Sequence, residues 1–140
     1  MNWKDEKEGI FLVNVLGIIY DPKTKQILIG KRVNDKYISQ LSWVFPGGKA
    51  GYEQDLETYV VTKAREKAGV KVDAKNVIFA KTYPEKREFL SIYYYCEYID
   101  GEPSPNEGLL ELKWVKPSEV VNYFTTSLHP KLLEYLKTLD

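Results

Sequence analysis

Residues 43–70 have the sequence WVFPGGKAGYEQDLETYVVTKAREKAGV, which contains the strongest structural signals in the chain. A short apolar run stops at Pro46, and the two glycines that follow allow a sharp turn. From Asp55 onward apolar side chains recur every fourth residue, which predicts a helix over residues 55–68. Asp55 suits the start of this helix and Gly69 suits its end. The stretch therefore predicts a strand, a glycine turn and a helix, in that order.

The flanking sequence contains more predicted strands than helices. Residues 11–20 and 26–30 are apolar runs separated by Asp21-Pro22-Lys23, which predicts a hairpin. Further strands are predicted at residues 70–72, 77–83, 88–99 and 110–115, a short helix at Pro117, and a last helix from Pro130 through Leu139. This order predicts one α/β domain over residues 1–140, with a mixed β-sheet covered by helices.

Composition excludes several classes of protein. The chain carries 20 Lys+Arg and 20 Asp+Glu, so no overall field attracts nucleic acid or an anionic membrane. Its longest apolar stretch, residues 11–20, is far shorter than the ~20 residues of a membrane-spanning helix. The charged start lacks the apolar segment of a secretory signal, so we expect a cytoplasmic protein. Cys96 is the only cysteine and His129 the only histidine, which excludes an internal disulfide and a cysteine-cluster zinc site.

The glycine turn and the helix after it resemble the Nudix superfamily of MutT-like hydrolases, which split a diphosphate that joins a nucleoside to a second group. The family motif is Gly, five residues, Glu, seven residues, then Arg-Glu-apolar-x-Glu-Glu-x-Gly-apolar. Without a gap, its first glycine falls on Gly48, its last on Gly69, and its apolar positions on Ala64 and Val70. The resemblance covers essentially the whole chain. It implies an α/β/α sandwich with a mixed β-sheet and the motif helix between strands.

The charged positions of the motif differ from the family pattern. Gln54 stands at the first Glu, Thr62-Lys63 at Arg-Glu, and Glu66-Lys67 at Glu-Glu. In the family these carboxylates hold divalent cations that neutralise the diphosphate and activate water. Hard cations need oxygen ligands, and an ammonium group supplies none. The resemblance therefore implies at most one weak Mg²⁺ or Mn²⁺ site, with Glu66 as the metal ligand.

Two interpretations of the helix lysines stay open. Lys63, Glu66 and Lys67 share one helix face because they are three and four residues apart. The lysines could form a solvated face, or they could hold a diphosphate directly, in place of a metal, together with N–H groups of the glycine turn. The candidate ligand-binding residues are Gly47, Gly48, Lys49, Lys63, Lys67 and Arg32.

Three carboxylates are candidate catalytic residues: Glu66, Glu53 and Glu107. Glu53 lies on the loop beside Gln54. Glu107, like Glu111, belongs to a region from which some Nudix enzymes supply a metal ligand or a general base. A solvated loop acid is the alternative for both. Along residues 88–99 alternate tyrosines face opposite sides of a strand, where they suit a core or a base-stacking surface.

The sequence supports three hypotheses about function. In the first, the protein is related to nucleoside-diphosphate-X pyrophosphohydrolases and binds a nucleotide or other diphosphate ligand, with weak or lost metal-dependent hydrolysis. In the second, it is an active hydrolase with a rearranged, metal-poor centre that uses Glu66 with Glu53 or Glu107. In the third, it is a non-catalytic scaffold for protein interactions. Nucleic acid and membrane partners are not expected, and a homodimer is compatible with the sequence.

Overall fold

The structure, a computed structural model, describes residues 9–32, 42–124 and 128–140. In these ranges the chain forms a seven-stranded mixed sheet with helices packed on it. The elements are β1 (Leu12–Asp21), β2 (Gln26–Arg32), β3 (Trp43–Val44), β4 (Gly47–Lys49), α1 (Leu56–Ala68), β5 (Lys71–Tyr83), β6 (Lys86–Asp100), β7 (Leu109–Val115), a 3₁₀ helix (Pro117–Asn122) and α2 (Pro130–Lys137). The helices in these ranges are too short or too polar to span a bilayer.

The sheet is built around the predicted hairpin of β1 and β2. The main strand order is β3-β2-β1-β6-β5, with β4 paired to β1 and β7 paired to β2. Only the β1–β6 pair is parallel among these pairings. β1 and β2 pair with each other at Ile19 and Leu28, and farther along each takes a new partner. β1 then pairs with β4 and β2 with β3, so the segment of the glycine turn is joined to both strands of the hairpin.

Backbone hydrogen bonds hold the glycine turn against β1. The Gly17 N–H donates to the Pro46 carbonyl at 2.8 Å, and the Ala50 N–H donates to the Val13 carbonyl at 2.8 Å. Gly47 lies so close to β1 that a Cβ there would be 2.0 Å from the Val15 carbonyl oxygen. The glycine is therefore required by this close approach, and not by an unusual backbone angle.

Two apolar clusters cover the two faces of the sheet, as the predicted α/β/α sandwich requires. On one face, α1 buries Val60, Ala64 and Ala68 against β1, β2, β5 and β6. On the other face, α2 buries Leu132 and Leu136 against the strands and the 3₁₀ helix. The predicted helix over residues 55–68 and its αL cap at Gly69 are confirmed. The Asp55 side chain makes no capping hydrogen bond, although the residue occupies the cap position.

The sequence prediction differs from the structure most clearly in β5. We predicted two strands, at residues 70–72 and 77–83, whereas the chain forms one strand from Lys71 to Tyr83. Its register against β6 shifts between Ala74 and Asn76 and again farther along, which marks bulges in a continuous ladder. Polar residues that suggested a break thus lie inside a strand, because the long partner strand β6 supplies pairing throughout.

Candidate functional site

A cavity of about 160 Å³ opens at the glycine turn. Among the residues that the structure describes, three basic residues and one acidic residue line it, and the rest of the described wall is mainly apolar. The lining includes Arg32, Lys49, Lys67, Glu107, Asn14, Leu16, Val44, Phe45, Phe89, Leu109 and the glycine turn itself. The excess of basic groups in a partly apolar cavity favours an anionic ligand.

One face of α1 fixes the glycine turn at two points. Tyr59, Lys63 and Lys67 are spaced four residues apart and therefore share this face. The Tyr59 hydroxyl donates to the Lys49 carbonyl at 2.8 Å. The Lys67 ammonium donates to the Gly47 carbonyl at 2.6 Å. The helix thus holds both ends of β4, and it places a positive charge at the cavity.

Lys67 is a half-buried cation. Burial lowers the pKa of its ammonium group, and the positive charges of Arg32 and Lys63 lower it further. An ammonium group has three donors, and among the residues that the structure describes the Gly47 carbonyl is its only hydrogen-bond acceptor. Two donors therefore remain for a ligand.

Lys63 has a different environment from Lys67. Its ammonium lies 3.0 Å from Glu66 and 3.7 Å from Glu107. The hydrogen bond to Glu66 raises the pKa of Lys63, burial opposes this, and the charge of Glu107 raises it further. The diphosphate-binding interpretation places both lysines at the glycine turn, and the alternative places both on a solvated helix face. Instead Lys67 contacts the turn, and Lys63 is paired with two carboxylates.

The loop between β6 and β7 brings Glu107 to the site. The Ser104 N–H donates to the Ala68 carbonyl at 2.9 Å, and the Asn106 N–H donates to the Lys67 carbonyl at 3.0 Å. These bonds satisfy carbonyl groups at the C-terminal end of α1 that have no partner within the helix. Glu107 follows with a positive φ of 48° and lies beside Lys63.

Glu53 and Glu111 lie outside the cluster of Lys63, Glu66 and Glu107. Glu53 is exposed on the loop before α1 and close enough to Tyr59 to contribute to its pKa. Burial is the main cause of the raised pKa of Tyr59, and the charges of Glu66, Glu107 and Glu53 add to it. Glu111 pairs with Lys31 in the β2–β7 ladder and does not line the cavity.

The residues at this site do not fit a divalent cation. The Gly47 carbonyl accepts a hydrogen bond from an ammonium group, and Glu66 and Glu107 are paired with Lys63. Within residues 9–32, 42–124 and 128–140, no three His, Cys, Asp or Glu side chains form a group that could hold a metal. A cation here would compete with the Lys63 ammonium for the same two carboxylates.

Tyr59, Asn14 and Phe89 are among the described site residues that sequence reasoning missed. Tyr59 could have been found, because it precedes Lys63 by four residues, as Lys63 precedes Lys67. Asn14 and Phe89 reach the cavity through strand pairing between β1 and β6, for which the local sequence contains no signal.

The lowered pKa of Lys67 predicts a pH-dependent contribution to stability. Between this lowered value and the ordinary 10.5, the unfolded chain keeps a proton that the folded chain has lost. The contribution of Lys67 to the free energy of unfolding therefore increases as pH rises through this window. Urea unfolding from neutral pH to pH 10.5 should show the parent protein becoming more stable relative to Lys67→Met.

Lys137→Met is the matched control, because Lys137 lies in the last turn of α2 as Lys67 lies in the last turn of α1. Lys137 does not line the cavity. A stability difference between the parent and Lys67→Met that stays constant with pH would contradict the desolvation of Lys67.

Comparison with known proteins agrees with this architecture. The family model of the NUDIX domain matches residues 11–136. No functionally curated protein matches the sequence significantly.

Three solved structures illustrate the similarity of fold. A NUDIX hydrolase from Nitrosomonas europaea superposes with a TM-score of 0.76 at 18% identity, covering 92% of this chain and 72% of that one. For a MutT protein from Methanosarcina mazei Go1 the TM-score is 0.73 at 18% identity, with 95% and 97% covered. For an ADP-ribose pyrophosphatase from Streptococcus suis it is 0.65 at 19% identity, with 91% and 88% covered. At these identities the likeness concerns the fold alone.

Proposed function

The chain belongs to the NUDIX family, and we propose that it binds the diphosphate of a nucleotide or related ligand without a metal ion, with metal-dependent hydrolysis weak or lost. The Lys67 ammonium is the observation that carries this proposal. It is fixed at the cavity by its bond to the Gly47 carbonyl, and its two other donors have no acceptor among the described residues. Arg32 and Lys49 line the same cavity and add positive charge.

Gly48 brings the glycine turn close to the Lys67 ammonium. A Cβ at this position would lie 3.3 Å from the Lys67 ammonium nitrogen and 2.7 Å from the Tyr59 hydroxyl. The absence of a side chain at Gly48 therefore lets the glycine turn lie against Tyr59 and Lys67. A phosphate oxygen at the Lys67 ammonium would accept a charge-assisted hydrogen bond in a partly apolar surrounding, where such bonds are strong.

The pairing of Lys63 supports weak or lost hydrolysis. In the family motif, carboxylates on this helix hold divalent cations. Here the Glu66 carboxylate accepts a hydrogen bond from Lys63 at 3.0 Å, and Glu107 is held by the same ammonium at 3.7 Å. One ammonium thus offsets part of the charge that these two carboxylates would offer to a cation.

The test is calorimetric titration with pyrophosphate and with ADP, both in EDTA. We expect the parent protein to bind both ligands. Lys67→Met should weaken both affinities by about 5- to 150-fold, which corresponds to the loss of about 1–3 kcal/mol from charge-assisted hydrogen bonds. Lys137→Met, the last-turn lysine of α2, should leave both affinities unchanged. Equal affinities for Lys67→Met and the parent would overturn the proposal and limit Lys67 to holding the glycine turn.

A second candidate function is hydrolysis by a rearranged centre. It is favoured by one observation, the convergence of Glu66 and Glu107 on the Lys63 ammonium. A parent protein that hydrolyses ADP-ribose with Mg²⁺ or Mn²⁺ at a rate of order 1 s⁻¹ would support it, provided that Glu66→Gln abolishes the activity. A parent that neither binds nor hydrolyses these compounds would support the interaction scaffold.

A further inference from the structure

A row of polar residues crosses four strands of the sheet at the cavity. Lys49 of β4 pairs with Asn14 of β1, Asn14 pairs with Ser91 of β6, and Ser91 pairs with Lys81 of β5. Residues that are directly opposite each other in neighbouring strands place their side chains on the same face of a sheet. The four side chains therefore form one row, which we call the polar row.

The rows on either side of the polar row are apolar. On one side Leu16 pairs with Tyr93, and the Tyr93 ring stacks on Phe79 with centroids 5.0 Å apart. On the other side Leu12 pairs with Phe89. Asn14 therefore interrupts an apolar face, in a strand where asparagine is intrinsically disfavoured.

The Asn14 carboxamide is available to a ligand. The residue is half-buried and lines the cavity together with Leu16 and Phe89. Its amide makes no hydrogen bond with another described residue, whereas the amides of Asn76 and Asn106 donate to backbone carbonyls. Because the polar atoms of the Asn14 amide are not fully buried, the amide is accessible from the cavity.

The chemistry of the carboxamide selects the kind of group that it binds. A carboxamide donates through nitrogen and accepts through oxygen. Phosphate oxygens at neutral pH mainly accept hydrogen bonds, so an anion at Asn14 would use only the nitrogen and would leave the oxygen without a donor from the ligand. A neutral group with both a donor and an acceptor uses both atoms.

We propose that Asn14 is a specificity-determining residue that hydrogen-bonds a neutral donor–acceptor group in the nucleoside part of the ligand, a sugar hydroxyl or the edge of the base, while Lys67 holds the diphosphate. This inference rests on the proposed function. The apolar walls formed by Leu16 and Phe89 flank the carboxamide and suit the carbon framework of a nucleoside. Asn14 and Lys67 line the same cavity, so one ligand can reach both.

The experiment compares pyrophosphate, ADP and 2′,3′-dideoxy-ADP in EDTA by calorimetry, on the parent and on Asn14→Leu. Leucine has a similar volume, lacks hydrogen-bonding groups and matches the neighbouring Leu12 and Leu16. We expect the affinity of Asn14→Leu for pyrophosphate to stay within about twofold of the parent. Its affinity for ADP should fall about 5- to 30-fold, the cost of leaving a polar ligand group without a partner. Asn76→Leu is the control, because Asn76 is an exposed residue of β5. This variant should change neither affinity.

The dideoxy ligand distinguishes the two sources of the neutral group. If Asn14 binds the sugar, the effect of Asn14→Leu disappears with 2′,3′-dideoxy-ADP; if it binds the base edge, the effect persists. Asn14→Val, with high β-propensity and no hydrogen-bonding group, should give the same pattern if Asn14→Leu fails to fold.

Two results would overturn the inference while the proposed function stands. The first is an equal loss of pyrophosphate and ADP affinity in Asn14→Leu, which would place Asn14 at the phosphates or in the framework. The second is an unchanged affinity for both. A parent protein that binds neither compound overturns the proposed function, and the inference with it.

Discussion

Gly47→Ala is expected to lower the free energy of unfolding by roughly 3 kcal/mol or more, or to prevent folding. The new Cβ would lie 2.0 Å from the Val15 carbonyl oxygen and 2.9 Å from the Leu16 Cα. Both atoms belong to the backbone of β1, which pairs with β6 along its length and cannot rotate away as a side chain can. The glycine turn would have to leave β1, and with it the carbonyl that holds Lys67.

Gly51→Ala is the matched control for this substitution. A Cβ at Gly51 would lie 2.7 Å from a carboxylate oxygen of Glu53, which is the end of an exposed and flexible side chain. We expect a change within about 1 kcal/mol, because the carboxylate can move. Urea unfolding of the two variants checks the difference. Similar midpoints would show that β4 does not pack against β1 as closely as described.

The second large effect is expected from rebuilding the family motif. Gln54→Glu, Thr62→Arg, Lys63→Glu and Lys67→Glu together remove both ammonium groups and place new carboxylates beside Glu66. The like charges should repel one another, so the melting temperature without metal should fall below that of the parent. Mg²⁺ should then raise the melting temperature again. At a hundredfold excess over its dissociation constant, bound Mg²⁺ would add about 2.7 kcal/mol to the free energy of unfolding.

The fold is expected to tolerate this variant because the buried face of α1 is unchanged. Val60, Ala64 and Ala68 remain in the core, and the four substituted positions are exposed or half-buried. Thermal melts with and without Mg²⁺ measure the stability effect, and hydrolysis of ADP-ribose measures activity. We expect Mg²⁺-dependent release of nucleoside monophosphate by the variant and far less by the parent.

Lys71→Glu combined with Lys137→Glu is the control for the rebuilt motif, because it adds acidic charge away from the cavity. Its melting temperature should not respond specifically to Mg²⁺. A rebuilt variant with the same indifference to Mg²⁺ would mean that residues 48–69 do not align with the family motif as drawn. An equally active parent would mean that Glu66 and carboxylates outside the motif suffice.

Local sequence was sufficient for the elements that surround the site. The hairpin of β1 and β2 follows from two apolar runs with a proline turn between them, and α1 follows from the four-residue period of its buried side chains. Gly69 ends that helix because its φ of 71° suits glycine. Each of these features depends on residues near one another in the chain, so the sequence by itself determined them.

Only the tertiary structure decided how the charges at the site are distributed. Lys63 and Lys67 are equivalent in the sequence pattern, yet Lys67 meets the Gly47 carbonyl and Lys63 meets Glu107. The first contact requires β4 to pair with β1, and the second requires the distant loop to bond to the end of α1.

The position of Asn14 was also beyond local sequence. Asn14 appears only as a polar interruption in an apolar strand, and its place in the polar row comes from register with Lys49 and Ser91. Register between strands far apart in the chain is set by the packing of whole faces of the sheet, and a shift of one residue would turn Asn14 to the opposite face. Periodicity thus determined which elements form, whereas long-range pairing determined which side chains meet at the cavity.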